Sequence, residues 1–357
     1  MFIYILLLVL IIGGFLLSKK MNPKINVAYY WMICTIMFLV IAFRGDTMGG
    51  DTLTYRTLFR NPDSPDLIWF TEPGLIVINK IFHFFTDNVY VASFFKALFN
   101  LAPIFILIKK NSSNLLASIF LFTTFSWEGG MFLLEFSAER QCFALAFFCL
   151  FLLFFEKNNY RYNIPSVICL LIMANIHHSS LLVILLLLLN YVNLNKKTYL
   201  IITIVASLSL YYVGDYLAPM MQFATAGDRD YGFYLSGMDN GDKSLITLVP
   251  FVGVFLVSLF YLPKEKINNI WFKGFFIVTV LTAFMMPMGE NISRMCAYFY
   301  FGAFISIPWT FDYIKNKLIK YAYLAAVFGY FTYRFVNVLH TMSEQLYGMV
   351  PYQTFFD

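Results

Sequence analysis

The sequence predicts an all-α, polytopic integral membrane protein, a single transmembrane domain over residues 1–357 with about 11–12 transmembrane helices. Three observations carry that expectation. Hydrophobic residues make up 60% of the 357 positions and charged residues 13%, where a soluble domain carries roughly a quarter charged. Apolar runs of about 17–20 residues recur along the whole length, each enough to cross about 30 Å of hydrocarbon. The basic residues sort to alternate loops, as topogenic charges do. The strand-period alternation of an outer-membrane barrel is absent.

The elements follow in order. Phe2–Ser18 has no basic residue before it, Lys19 and Lys20 straight after it and no small-residue cleavage pattern, so it reads as a retained first helix with its N-terminus outside. Val27–Phe43 returns outward to a polar loop at about 44–72. Pro73–Phe85 is short and amphipathic, which predicts a re-entrant or interfacial helix. Val89–Ile108 goes in to Lys109 and Lys110, and Leu115–Trp127 comes out to Glu128. Gln141–Phe155 goes in, Ile164–Ile176 comes out to the His177-His178 pair, and Leu181–Val192 goes back to Lys196 and Lys197. Tyr199–Val213 leads to a second long extracytoplasmic loop, about 214–243. The remaining spans are Leu245–Leu262, Ile270–Met288, Arg294–Phe311 and Tyr321–Leu339.

Lysines fill the loops this path places inside. The outer loops hold most acids, and their basic residues are nearly all arginine: Arg44, Arg56, Arg60, Arg140, Arg229 and Arg294. An arginine placed against the topological bias needs a reason, and a bidentate match to phosphate or carboxylate supplies one. The formal net charge of +5 is spread across the chain without a basic patch, which excludes a nucleic-acid partner. All five cysteines (Cys34, Cys142, Cys149, Cys169 and Cys296) fall in apolar runs with no metal-ligand spacing. They read as buried hydrophobes.

The polar islands are the candidate sites. Arg44 to Arg56 packs two arginines, two aspartates, three glycines and Tyr55 into one short span. From Asp51, a plausible N-cap, the run has helical spacing that puts Tyr55 and Phe59 on one face. Gly45, Gly49 and Gly50 allow close backbone approach and amides aimed at an anion; headgroup snorkelling by Arg44 is the plain alternative. Glu72-Pro73-Gly74 reads chiefly as a helix start. Glu128, Glu135 and Glu139 would share a face in an unbroken helix, though Glu135 or Glu139 more simply offsets Arg140, which opens the next span. At His177-His178 one imidazole at most faces a common cavity, and histidine accepts a hydroxyl proton near neutral pH. Metal ligation has no third ligand at suitable spacing. Arg229 and Tyr231 mix charge with aromatic faces suited to a sugar or to an interfacial belt. Glu290 and Arg294 flank a helix start, where a cation opposes the dipole and so points to an anionic partner. Lys80, Lys96, Lys273 and Arg334 sit close enough to span ends to snorkel.

In this order the islands resemble the EpsG-like, Wzy-type polysaccharide polymerases of bacterial inner membranes. The resemblance rests on Arg44 through Gly49, Asp51 and Tyr55, then Glu72-Pro73-Gly74, then Ser137, Arg140 and Gln141, then His178-Ser179-Ser180, and last Arg294. The doubled glycine and doubled histidine depart from the family pattern. The resemblance implies a multi-pass glycosyltransferase of the bacterial cytoplasmic membrane, working on its periplasmic face without metal or cofactor. Its partners would be undecaprenyl-diphosphate-linked glycan donor and acceptor, membrane lipids and a chain-length regulator. The expected catalytic residues are His178, with His177 as alternative, Arg140 and Arg294. Arg44, Asp51, Tyr55, Arg56, Glu139, Arg229, Tyr231 and Glu290 are the expected substrate-binding residues. Two rival readings are a lipid-linked oligosaccharide flippase or transporter and a membrane O-acyltransferase acting on surface sugars. A flippase would line a path through both membrane halves, whereas the polar islands here lie on one side.

Overall fold

The computed structural model describes residues 1–63, 72–126, 129–208, 245–285, 294–343 and 348–356. Among them the chain is all-helical, with one isolated antiparallel bridge between Arg44 and Thr354. Contacts divide it into two compact units.

The first unit comprises Met1–Thr124, Gly129–Leu181 and Thr332–Asp357. Its helices start where capping chemistry directs. The Asn22 side chain accepts from the Lys24 amide ahead of Pro23–Ala42, and Asn88 accepts from the Tyr90 and Val91 amides ahead of Val89–Asn111. Asn163 and Ser166 form a capping box at the start of Ile164–Ile176, which satisfies amides the helix leaves open. Glu139–Lys157 packs on both Val89–Asn111 and Ile164–Ile176, and Pro73–Phe85 packs on Ile164–Ile176.

Apolar side chains cover outward as well as inward faces. Phe2–Ser18 buries Tyr4, Leu7, Leu8 and Ile11 while exposing Phe2, Val9 and Leu16. Ile164–Ile176 exposes Ile164, Ile168 and Leu171. An exposed apolar face of this extent is costly in water and at rest against lipid. Pro23–Ala42 and Val89–Asn111 are long and apolar enough to cross a bilayer, and several shorter apolar helices accompany them.

Three stretches meet at one end of this unit. Tyr4 donates its phenol to the Met349 carbonyl at 2.8 Å, and Tyr352 donates to Val40 at 3.0 Å. The Gly45 amide donates to Gln353 at 2.9 Å and the Phe355 amide to Phe43 at 3.2 Å. The start of the first helix, the loop after the second and the C-terminal segment therefore lie together.

The second unit comprises Phe125–Glu128 and Leu182–Phe331. Every residue from Ala297 to Phe311 is buried, so that helix is the unit's core. It meets Ile270–Met285 closely at Gly302, where a Cβ would strike the backbone of Trp271, Gly274 and Phe275. Lys273, expected to snorkel, is instead buried and donates to the Asn190 carbonyl at 2.9 Å, at the C-terminal end of Val183–Asn190. The negative end of that helix supplies the partner. The five cysteines are buried and free, as their apolar surroundings predict.

The predicted bounds of Pro73–Phe85 and Ile164–Ile176 coincide with the helices found. Elsewhere ends shift by a few residues, as in Val89–Asn111 and Glu139–Lys157. The second long loop lies outside the described residues.

Candidate active site

The site is built from four elements of the first unit. The loop helix Thr52–Arg60 turns Tyr55, Leu58 and Phe59 inward and exposes Leu53 and Arg60. Helix Pro73–Phe85 begins directly after Glu72. Helix Glu139–Lys157 begins one residue before Arg140, after a break at Ala138. Helix Ile164–Ile176 ends at His177.

Glu72 stands at the centre and is buried. One carboxylate oxygen accepts from Arg140 Nη1 at 2.6 Å, and the other lies 3.3 Å from His177 Nδ1. Arg140 Nε donates to the Tyr55 phenol oxygen at 3.3 Å. Burial alone would push the Glu72 carboxyl up; the hydrogen bond from His177 and the charge of Arg140 outweigh it and hold the carboxyl at about 2. Burial also pushes the Tyr55 phenol up, so it is neutral and able to donate. The Arg140 side chain keeps a quarter of its surface accessible.

Gly74 makes this possible. Its Cα lies against the Asn175 carbonyl, where a Cβ would come within 2.7 Å of the oxygen. Only glycine lets the helix start approach the end of Ile164–Ile176 so closely. The sequence marks Glu72-Pro73-Gly74 as a helix start. It is that, and Glu72 also joins Arg140 to His177. The signal for this is the glycine, which a helix start does not require.

His178 and His177 part company here. His177 closes the Glu72 network, while His178 opens the 3-10 turn His178–Leu182 with an exposed side chain. Glu139 does not offset Arg140: its carboxylate takes a bond from Lys96 Nζ at 2.6 Å. Adjacent helical residues point about 100° apart, and the break at Ala138 also dissolves the expected glutamate face.

Arg44 and Arg56 form a second group beside the first. Arg44 is buried, and its Nη1 caps the end of Pro23–Ala42 by donating to the Ile41 carbonyl at 2.9 Å. It does not snorkel. Arg56 is ion-paired with Asp46, donates to the Arg44 carbonyl at 2.8 Å and lies over the Tyr90 ring at 4.9 Å. Burial, reinforced by the like charge of Arg44, lowers the Arg56 guanidinium to about 10. The loop glycines serve the fold: Gly49, at φ +87°, rests on the Phe136 carbonyl, and the Gly45 amide is taken by Gln353. Asp51 occupies the cap position of the loop helix, exposed and without a side-chain cap bond. Its φ of −99° and ψ of −3° are helical, which turns the carboxylate away from the amides a cap would reach.

Arg229, Tyr231 and Glu290 lie outside the described residues. Arg294 begins the 3-10 turn Arg294–Cys296 of the second unit, with its side chain outside the described set. Among the described residues no group of three or more His, Cys, Asp or Glu is placed to hold a metal ion.

Compared with known proteins, residues 27–354 match the model of the EpsG family. No curated protein and no solved structure matches.

Proposed function

The chain belongs to the EpsG family, and on that premise we propose that it is a membrane glycosyltransferase that polymerises lipid-linked oligosaccharide repeat units at the extracytoplasmic face of a bacterial cytoplasmic membrane. Donor and acceptor are undecaprenyl-diphosphate-linked glycans. The family supports a polysaccharide-polymerase-like function and a membrane location. The buried Glu72, held between His177 and Arg140, is the observation that carries the chemical reading.

The acceptor hydroxyl attacks the anomeric carbon of the donor sugar while the carbon–oxygen bond to the lipid diphosphate breaks. The hydroxyl proton passes to His177 Nε2, and the diphosphate leaves with the bonding electron pair. With its other proton on Nδ1, the imidazole donates to Glu72 and presents Nε2 as base. The ionised Glu72 stabilises the imidazolium that forms and keeps the ring from turning. Arg140, part-exposed beside Tyr55, lies where it can take negative charge from the departing diphosphate, the role preorganised guanidinium groups fill in phosphoryl sites. Arg44 and Arg56 shape the neighbouring loop. The path crosses the membrane about 11–12 times, with Pro73–Phe85 at the interface and lysines inside.

The test is polymer length. His177→Ala and Arg140→Ala, produced at wild-type level in a deletion strain, are expected to leave single repeat units on the surface. Full-length polymer from either variant would sink the assignment, and His178→Ala is expected to retain polymer.

A further inference from the structure

Lys96, on the helix Val89–Asn111, does not snorkel: it is buried, only 6% of its side chain accessible, and its ammonium makes three contacts. Nζ donates to Glu139 Oε1 at 2.6 Å and to Asn79 Oδ1 at 2.6 Å, and it lies 5.1 Å from the centre of the Phe59 ring. Each partner belongs to a different element of the candidate site. Phe59 stands one helical turn after Tyr55 on the loop helix. Asn79 lies two turns after Glu72 on Pro73–Phe85. Glu139 immediately precedes Arg140. The three elements that deliver Tyr55, Glu72 and Arg140 are thus each tied to one ammonium, which itself touches none of those three residues in any bond described.

An ammonium suits the post. Its three donors and compact charge satisfy a carboxylate, an amide oxygen and a ring face at once. Surrounded by protein, such a charge is held by its partners, and removing it takes from Glu139 the cation bonded to its carboxylate. A lysine placed merely to anchor a helix would reach toward the membrane surface; this one reaches inward.

From this we propose that Lys96 is a positioning residue: it fixes the relative register of the loop helix, the Glu72 helix and the Arg140 helix, so that Arg140 meets both Glu72 and Tyr55 and Glu72 meets His177. The inference rests on the reading of that network as the catalytic site, and its test separates the two. The purified full-length protein is labelled with 15N-histidine, and the His177 imidazole signals are assigned with His177→Asn. In the wild type the ring is expected to show a protonated Nδ1 engaged with a carboxylate. Lys96→Met should abolish that signature and cut polymer synthesis at least tenfold. Because this variant takes the bonded cation from a half-buried carboxylate, the double variant Lys96→Met, Glu139→Gln removes both charges of the pair, while Glu139→Gln alone keeps an oxygen for Lys96 to bond. The expected result is a wild-type His177 signature in Glu139→Gln and its loss in the folded double variant. A wild-type signature in the folded double variant overturns the inference. Loss of the signature with polymer length unchanged upholds the positioning role and overturns the catalytic reading instead.

Discussion

The carboxylate of Glu72 stands 3.3 Å from Nδ1 of His177, across 105 positions of sequence, and its second oxygen is held by Arg140 at 2.6 Å. A carboxylate so placed favours the neutral ring with its proton on Nδ1 and leaves Nε2 unprotonated.

Glu72→Gln keeps the shape of this carboxylate and removes its charge. On the proposed mechanism, the imidazolium formed during proton transfer then loses its stabilising partner. Glycosyl transfer measured in vitro with a lipid-linked repeat unit is expected to fall on the order of 10²-fold or more, with the KM for the donor changed far less. A variant within threefold of wild type would show that His177 does not act through Glu72.

Gly74→Ala tests the close approach that brings the pair together. The new Cβ would press on the Asn175 carbonyl from 2.7 Å, and backbone on both sides leaves little to yield. Separating the two helix ends is expected to cost about 1–3 kcal/mol and to lengthen the Glu72–His177 contact. Thermal unfolding in detergent reads the first effect and transfer activity the second. An unchanged midpoint with full activity would contradict the packing described.

The ionisation of Glu72 sets a pH dependence of stability. Its carboxyl is held at about 2 in the folded chain, against an ordinary value of 4.5. A lowered carboxylate pKa stabilises the fold fully above about 4.5, and the contribution is lost as pH falls toward 2. The difference in stability between wild type and Glu72→Gln should stay level from pH 8 to 5 and shrink below that. A difference that instead vanished on going from pH 5 to pH 8 would have the wrong sign for this group.

The C-terminal segment holds the Arg44 loop. Phe355 stacks on Tyr90 at 4.6 Å and meets Phe43 at 5.7 Å, while Tyr90 lies beneath Arg56. Phe355→Ala is expected to cost about 1–3 kcal/mol and to speed proteolysis between Arg44 and Arg56. Phe356→Ala, at a side chain 75% exposed, should do markedly less. Equal proteolysis rates for the two variants and wild type would remove the tail from any role in ordering that loop.

Local features were legible because they depend on near neighbours. The period of apolar residues marked Ile164–Ile176 and Pro73–Phe85 to the residue, and helical spacing placed Tyr55 and Phe59 on one buried face. The apolar context of the five cysteines sufficed to read them as buried thiols. The ordered islands of arginine, acid and histidine pointed to the family whose model spans residues 27–354.

What the sequence by itself determined is therefore the helical class, helix bounds to within a few residues and the set of polar residues available for chemistry. These follow from side-chain period, capping and transfer energy, all short-range or compositional. Only the tertiary structure decided the partners: Glu139 with Lys96 and not Arg140, Arg140 with Glu72, His177 and not His178 in the network, and the C-terminal segment on the Arg44 loop. Such pairings join residues tens to hundreds of positions apart. They are settled by which helix faces can approach, as Gly74 allows at Asn175, and a period in the chain carries no record of that approach.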